Sequence, residues 1–228
     1  FEAAEAVLDG LVHGHGFRRG EPHDHDVAFR LDIIGADALL SVKLTPPEFR
    51  FRGDERLFAR AALRPTVAHA LVWLSAPRDD QRFLDPFCGS GTIAVERAHY
   101  GARRIVASDV ADEAVAVARA NAGRLGAAER VEVRQWDARR LGLEDESIDV
   151  IVTNPPWGTQ IAAGGELEAL YREFLREARR ILAPRGRVVL ITDQAEALQR
   201  ACRKLGFACR PALTVSLHGL VPTVYEIQ

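Results

Sequence analysis

The sequence lacks methionine and contains few cysteines, and each of these shortages limits the classes of protein to which the chain can belong. It opens on Phe1 and has no methionine, so we expect a fragment whose upstream part is missing. Its three cysteines, Cys88, Cys202 and Cys209, are scattered and are not paired at zinc-finger spacing. A disulfide framework is therefore excluded, and we expect a reducing, cytoplasmic setting.

Long hydrophobic runs and an excess of one charge are also missing. No run of about eighteen apolar residues occurs, and no signal peptide pattern is found. The 30 Lys and Arg against 32 Asp and Glu give a formal net charge of -2, so any nucleic acid must be bound by a local patch or by a missing partner domain. The 228 residues, 47% of them hydrophobic, suffice for one large α/β domain plus a short extra piece.

From about residue 81, short β-branched runs alternate with helical stretches, which predicts a parallel sheet with helices on both faces. The predicted strands are 82–85, 104–109, 131–136, 148–153 and 187–192, and the predicted helices are 92–100, 111–124, 167–182 and 194–205. Two final runs, 212–217 and 223–227, leave no room for a helix between them. They are predicted to pair as a hairpin, which reverses one strand of the sheet.

Upstream of the sheet, 27–34 and 38–44 alternate apolar and polar residues and predict a β-hairpin. The helical pattern over 55–74 contains Pro65, which predicts a kink or a helix that restarts there. We expect residues 1–50 to end an upstream region or to connect to it, and residues 51–228 to form the main domain.

The first chemical motif ends the first strand of the sheet and opens a helix. It consists of Asp85, Pro86, Phe87, Cys88, Gly89, Ser90, Gly91 and Thr92. The glycines allow a sharp turn and a close approach of a ligand to the backbone, and the Asp85 carboxylate suits an ammonium group. A glycine turn by itself also serves packing in doubly wound folds. Cys88 is interpreted as a packing residue rather than a nucleophile.

Two further acids end the next two strands at the same edge. Asp109 can accept both hydroxyls of a ribose, or cap the helix that begins near Ala111. Asp137 can accept a hydrogen bond from an adenine amino group while the Ala138 amide donates to a ring nitrogen; alone, it would more often be a turn residue. With Asp85, these acids indicate a nucleoside site, and no cation is placed to meet phosphates.

The motif Asn154, Pro155, Pro156 and Trp157 directly follows an apolar run. The prolines keep the chain extended and remove two N–H donors. The Asn154 side-chain oxygen and the Pro155 carbonyl can then accept both hydrogens of an amino group, while Trp157 offers a stacking face for a base. The alternative is a proline-rich loop that merely ends a strand, but its place beside the three acids favours the amino-group site.

Together these motifs resemble the class I amino-methyltransferases, and within them the THUMP-associated enzymes that make N2-methylguanosine in tRNA. The segment from Leu63 to Thr66 is similar to the one that precedes the cofactor loop in that group, and the resemblance covers roughly residues 45–228. It implies a Rossmann-like seven-strand sheet with one reversed strand. It also implies that Asp85, Asp109 and Asp137 hold S-adenosylmethionine and that Asn154 and Pro155 hold an amino target.

On this interpretation the cofactor site also takes in the rest of the loop 85–92 and Thr66, Val110, Ala138 and Asn154. Residues 1–50 are the edge of a THUMP-like region or a linker. The reaction is an in-line displacement on the sulfonium methyl that needs neither a metal nor a covalent nucleophile. The histidines near the N-terminus, His13, His15, His23 and His25, are interpreted as a solvated loop.

Four arginines, Arg52, Arg56, Arg60 and Arg64, recur every four residues and either contact RNA or form a solvated face. We assign Arg56, Arg60 and Arg64 to RNA, with an absent upstream domain aiding its capture. The alternatives are methylation of guanine N2 in rRNA, of a protein glutamine or of DNA adenine. A non-enzymatic RNA-binding module would be expected to have lost Asp109 or Asn154.

Overall fold

The computed structural model describes residues 2–21, 24–44, 57, 63–156, 166–217 and 219–228. The chain forms two compact units, Phe1–Phe49 and Arg50–Gln228. That the first unit is the end of a THUMP-like region or a linker stays a prediction. No helix within the described ranges is long and apolar enough to cross a membrane.

The described residues of the first unit form a helix and an antiparallel hairpin. Helix α1 spans Glu2–His15, and strands β1 (Ala28–Ile34) and β2 (Asp37–Lys43) pair from Ala28 opposite Lys43 to Ile34 opposite Asp37. Gly35 makes the turn with a φ of +63°, a conformation that glycine adopts without strain. The hairpin was predicted from its alternating pattern, whereas α1 was not.

The second unit alternates strands and helices. Its elements are α2 (Pro65–Leu74), β3 (Arg82–Asp85), α3 (Thr92–Ala98), β4 (Arg104–Asp109), α4 (Asp112–Arg124), β5 (Val131–Gln135), β6 (Ile148–Thr153), α5 (Glu166–Ile181), β7 (Leu182–Thr192), α6 (Ala195–Leu205), β8 (Cys209–Thr214) and β9 (Thr223–Ile227). Helix α2 begins at the proline, as its fixed φ and missing N–H favour. The residues 58–62 that precede it lie outside the described part of the chain.

The seven strands of this unit form one sheet in the order β5-β4-β3-β6-β7-β9-β8. Strand β9 is antiparallel to both β7 and β8, and the other pairs are parallel. The prediction of a mostly parallel sheet with one reversed strand is therefore confirmed. The chain leaves β3 towards β4 and β5, then crosses back to β6 on its other side. Such a switch point opens a crevice at the carboxyl ends of the strands, where doubly wound folds bind ligands.

Helices cover both faces of this sheet, which explains why its central strands are almost wholly apolar. In β7, Val189 and Ile191 pack into one core cluster and Val188 and Leu190 into the other, as the two-residue period of a strand requires. The first cluster includes residues of α2, α3 and α4, and the second includes residues of α5 and α6. The packed layers fix the strand ends that carry the predicted site.

Candidate active site

A cavity of about 280 Å³ lies at the carboxyl ends of β3, β4, β5 and β6. Its described lining residues are Leu63, Pro86, Phe87, Cys88, Gly89, Ser90, Thr92, Ile93, Asp109, Val110, Asp137, Ala138, Arg139, Asn154, Pro156 and Leu170. Most of the residues predicted to bind a nucleoside or an amino group therefore meet in one place.

The glycine loop between β3 and α3 forms one wall of this cavity. Gly89 and Gly91 have φ values of +49° and +77°, where other residues are strained. A Cβ on Gly91 would also lie 3.1 Å from the Cβ of Ala118 on α4, whereas one on Gly89 would meet nothing within 4 Å. Gly91 thus allows two helices to pack closely, and Gly89 leaves space at the cavity wall.

Asp85 lies beneath this loop and is completely buried. Its Oδ1 accepts hydrogen bonds from the Thr153 hydroxyl at 2.8 Å and from the Phe87 amide at 3.3 Å. Its Oδ2 is buried and has no hydrogen-bond partner within the described structure. Burial raises the pKa of the carboxyl to about 7, because the charged form has lost its hydration. A cationic group would restore the missing partner.

Asp109, at the end of β4, holds the glycine loop in place. Its Oδ2 accepts a hydrogen bond from the Gly89 amide at 2.9 Å, and its Oδ1 accepts one from the Ala111 amide at 3.0 Å. Ala111 itself is the N-cap of α4, so the interpretation of Asp109 as that cap is wrong. The carboxylate instead connects the loop to the start of the helix and lines the cavity.

Asp137, which follows β5, differs from the other two acids because its carboxylate forms an ion pair with an arginine side chain. Arg139 donates to both of its oxygens through Nε and Nη2 at 2.6 to 3.0 Å. This pairing lowers the pKa of Asp137. Arg139 also lines the cavity, and its guanidinium is directed at Asp137 there; the prediction that no cation is placed to meet phosphates stays untested. Asp137 and Arg139 are two residues apart across a turn, which brings the carboxylate and the guanidinium into contact.

The Asn-Pro-Pro loop follows β6, on the other side of β3 from Asp109, and Asn154 and Pro156 contribute to the lining. Tyr171 of α5 is completely buried and donates a hydrogen bond from its hydroxyl to the Pro156 carbonyl at 3.1 Å. The same hydroxyl lies 2.9 Å from Oγ1 of Thr192, at the end of β7. Tyr171 therefore anchors the loop to the sheet, a role that the sequence analysis did not assign.

Asn121 is a second residue that the sequence analysis missed. It is buried on α4, and its side-chain amide donates to the Ser90 carbonyl at 2.9 Å. It also exchanges two hydrogen bonds of 2.8 Å with the backbone of Leu57. An asparagine on the apolar face of a helix was the available signal, because buried polar groups need partners.

Some predicted site residues do not line the cavity. Asp85 and Pro155 are buried, Gly91 packs against α4, and Thr66 is exposed on the first turn of α2. Arg64 directly precedes that helix. Trp157, Arg52, Arg56, Arg60 and His23 lie outside the described residues. Among the described residues, no group of three or more His, Cys, Asp or Glu side chains is placed to hold a metal, and the expectation that no metal is required stays untested.

Cys88 lies at the cavity wall as a buried thiol. Burial and the nearby carboxylates of Asp85 and Asp109 raise its pKa. A protonated, buried thiol is a weak nucleophile. This supports the interpretation of Cys88 as a packing residue.

The known proteins with related sequences described below are methyltransferases. The UPF0020 family model, described as RMKL-like, methyltransferase domain, matches residues 52–223. The chain is 37% identical over 208 residues to a tRNA (guanine(6)-N2)-methyltransferase of Thermus thermophilus, covering 89% of this chain and 60% of that protein. It is 40% identical over 171 residues to a tRNA (guanine(10)-N2)-dimethyltransferase of Methanothermobacter thermautotrophicus, covering 75% of this chain and 50% of that protein.

A solved structure extends the similarity over the whole chain. The crystal structure of TrmN from Thermus thermophilus superposes with a TM-score of 0.73 at 33% identity, covering 100% of this chain and 67% of that one. The chain spans 60% and 50% of the lengths of the two relatives above.

Proposed function

Because the chain belongs to the UPF0020 family of RMKL-like methyltransferase domains, we propose that it transfers a methyl group from S-adenosylmethionine to the N2 amino group of a guanosine in tRNA. The observation that carries this proposal is the meeting of the acidic strand ends and the Asn-Pro-Pro loop around one cavity. The names of the two tRNA methyltransferases similar to it support the substrate. A cytoplasmic location and capture of the RNA by an upstream region belong to the same proposal.

The residues on the acidic side fit the methyl donor. S-adenosylmethionine would supply a methyl group on a sulfonium: as the N–C bond forms, the S–C bond breaks, a neutral thioether leaves, and the methylated nitrogen releases one proton to water. Asp85 attracts its ammonium group from directly behind the cavity-lining Pro86 and Phe87, because its charge is close to the cavity and its buried Oδ2 has no partner within the described structure. Asp109 accepts the ribose hydroxyls, and the backbone amides that hold its oxygens keep it oriented. Asp137 accepts from the adenine amino group, and the Ala138 amide donates to the ring.

The residues on the opposite side hold the amino group to be methylated. The Asn154 side-chain oxygen and the Pro155 carbonyl accept its two hydrogens, which directs the nitrogen lone pair away from them. Tyr171 keeps the loop in this position through the Pro156 carbonyl. Fixed acceptors of this kind contribute by orientation and electrostatics.

The experiment that tests this proposal is mass spectrometry of nucleosides from the tRNA of a strain that lacks the gene. We expect N2-methylguanosine to fall, and to return when the full-length gene is supplied but not when it carries Asn154→Ala. Mapping the lost methyl group to position 6 or 10 distinguishes the two activities for which the relatives are named. Unchanged N2-methylguanosine, with a methyl group lost instead from rRNA, DNA adenine or a protein glutamine, would refute the proposed substrate.

A further inference from the structure

The Asp137 carboxylate, which the proposed function assigns to the adenine amino group, is already fully occupied in the ligand-free chain. Its Oδ1 accepts from the backbone amide and Nε of Arg139, both at 2.9 Å. Its Oδ2 accepts from Nε at 3.0 Å and from Nη2 at 2.6 Å. A carboxylate has about four lone-pair sites, so an adenine amino group must displace at least one of these contacts.

The guanidinium of Arg139 has a second carboxylate nearby. Its Nη1 lies 3.7 Å from the Glu173 carboxylate on α5, and its side chain is 51% exposed. Glu173 is itself 39% exposed. Arg139 can therefore turn towards α5 and the solvent without burying an unpaired charge.

We propose that Arg139 competes with the adenine ring of the nucleoside ligand for Asp137, and that ligand binding moves the guanidinium towards Glu173. The inference rests on the proposed function, because it requires an adenine at Asp137. Arg139 then lowers the affinity of the site for adenosyl ligands and weakens its discrimination between adenine and other purines.

The test compares S-adenosylhomocysteine with S-inosylhomocysteine, in which a keto oxygen replaces the 6-amino group. Calorimetry on Arg139→Ala should show S-adenosylhomocysteine binding about two- to fivefold more tightly than to the unmodified chain, the range expected for loss of a partly exposed ion pair. The inosyl analogue should gain nothing, because it has no amino group to donate to Asp137. Added salt should tighten S-adenosylhomocysteine binding in the unmodified chain and not in the variant, since salt screens the competing pair.

Arg140→Ala is the matched control, because it removes the same charge from the neighbouring exposed residue while its backbone bond to the Asp137 carbonyl remains. An equal gain in affinity for Arg140→Ala, or for the inosyl analogue, would mean that any lost positive charge near the site tightens binding. That result would overturn the inference. Unchanged or weaker S-adenosylhomocysteine binding in Arg139→Ala would overturn it as well, with weaker binding meaning that Arg139 orients Asp137. Failure of the unmodified chain to bind S-adenosylhomocysteine would instead contradict the proposed function.

Discussion

The two sides of the cavity are held by different kinds of contact. The donor side comprises the loop 85–92 with Asp109 and Asp137. The Asp109 carboxylate accepts a hydrogen bond from the Gly89 backbone amide of that loop. The acceptor side comprises 154–156, and the Tyr171 side chain anchors it through one carbonyl. The donor side is thus held together by a carboxylate of its own, whereas the acceptor loop is held from α5. Affinity and turnover should therefore separate by mutation.

The largest effect should come from Asn154→Ala on the acceptor side. We expect turnover of the full-length protein to fall at least about a hundredfold, as when one preorganised polar group is removed from a transition-state site. S-adenosylhomocysteine affinity, measured by calorimetry, should stay unchanged because the donor side is intact. If affinity fell as far as turnover, the two sides would not be separable.

On the donor side, Asp109→Ala should weaken S-adenosylhomocysteine binding by about ten- to a hundredfold, the value of one or more hydrogen bonds to a charged group. It should also lower the melting temperature, because the Gly89 and Ala111 amides lose their acceptor. Asp112→Ala removes an exposed carboxylate from the start of α4 and serves as the control. Equal affinity in the two variants would remove Asp109 from the ligand site.

Asp85 gives the donor side a pH dependence. Since burial raises its pKa to about 7, the carboxyl is neutral below that pH and must lose a proton before it can attract an ammonium group. Affinity for S-adenosylhomocysteine should therefore decrease by up to about tenfold per pH unit below 7 and level off above it. Calorimetry between about pH 5.5 and pH 8.5 measures this.

Asp85→Asn is the matched control for that profile. It preserves the shape of the side chain but cannot ionise, so its affinity should be low and independent of pH across the same window. A pH profile shared by the variant and the unmodified chain would assign the titration to another group.

The smallest effect is expected for Tyr171→Phe. It deletes the hydrogen bond to the Pro156 carbonyl while preserving the buried ring, and one such bond is worth about 0.5 to 1.5 kcal/mol. Turnover should fall about two- to tenfold, with S-adenosylhomocysteine affinity unchanged. A loss of affinity in this variant would show that Tyr171 supports both sides of the cavity.

Much of the fold was predictable because the local pattern and the tertiary structure agree. Strands β3, β4 and β6 have the predicted bounds, since buried parallel strands appear as apolar runs bounded by turn residues. Strand β8 begins at Cys209 rather than at 212, and it includes Pro211. The predicted strand began after the proline, but β8 is the edge strand, where a missing N–H is tolerated.

The site was predictable only where its residues follow strand ends directly. Asp109 and Asn154 could be placed in this way, because parallel strands bring their carboxyl ends to one edge. Tyr171 and Asn121, which hold the two loops, could not be placed from the sequence. Tyr171 lies 15 residues from the Pro156 carbonyl it holds, and Asn121 lies 31 residues from Ser90. Such contacts depend on how helices pack. Helix α1 was missed for a different reason, because Gly10 and Gly14 weaken its helical pattern.

The most direct test of the central claim is a crystal structure of the chain with S-adenosylhomocysteine. We expect the ligand in the cavity at the carboxyl ends of β3 to β6, with its ribose on Asp109, its adenine at Asp137 and its sulfur facing the Asn154 loop. A ligand bound elsewhere, or a sulfur facing away from Asn154, would contradict it.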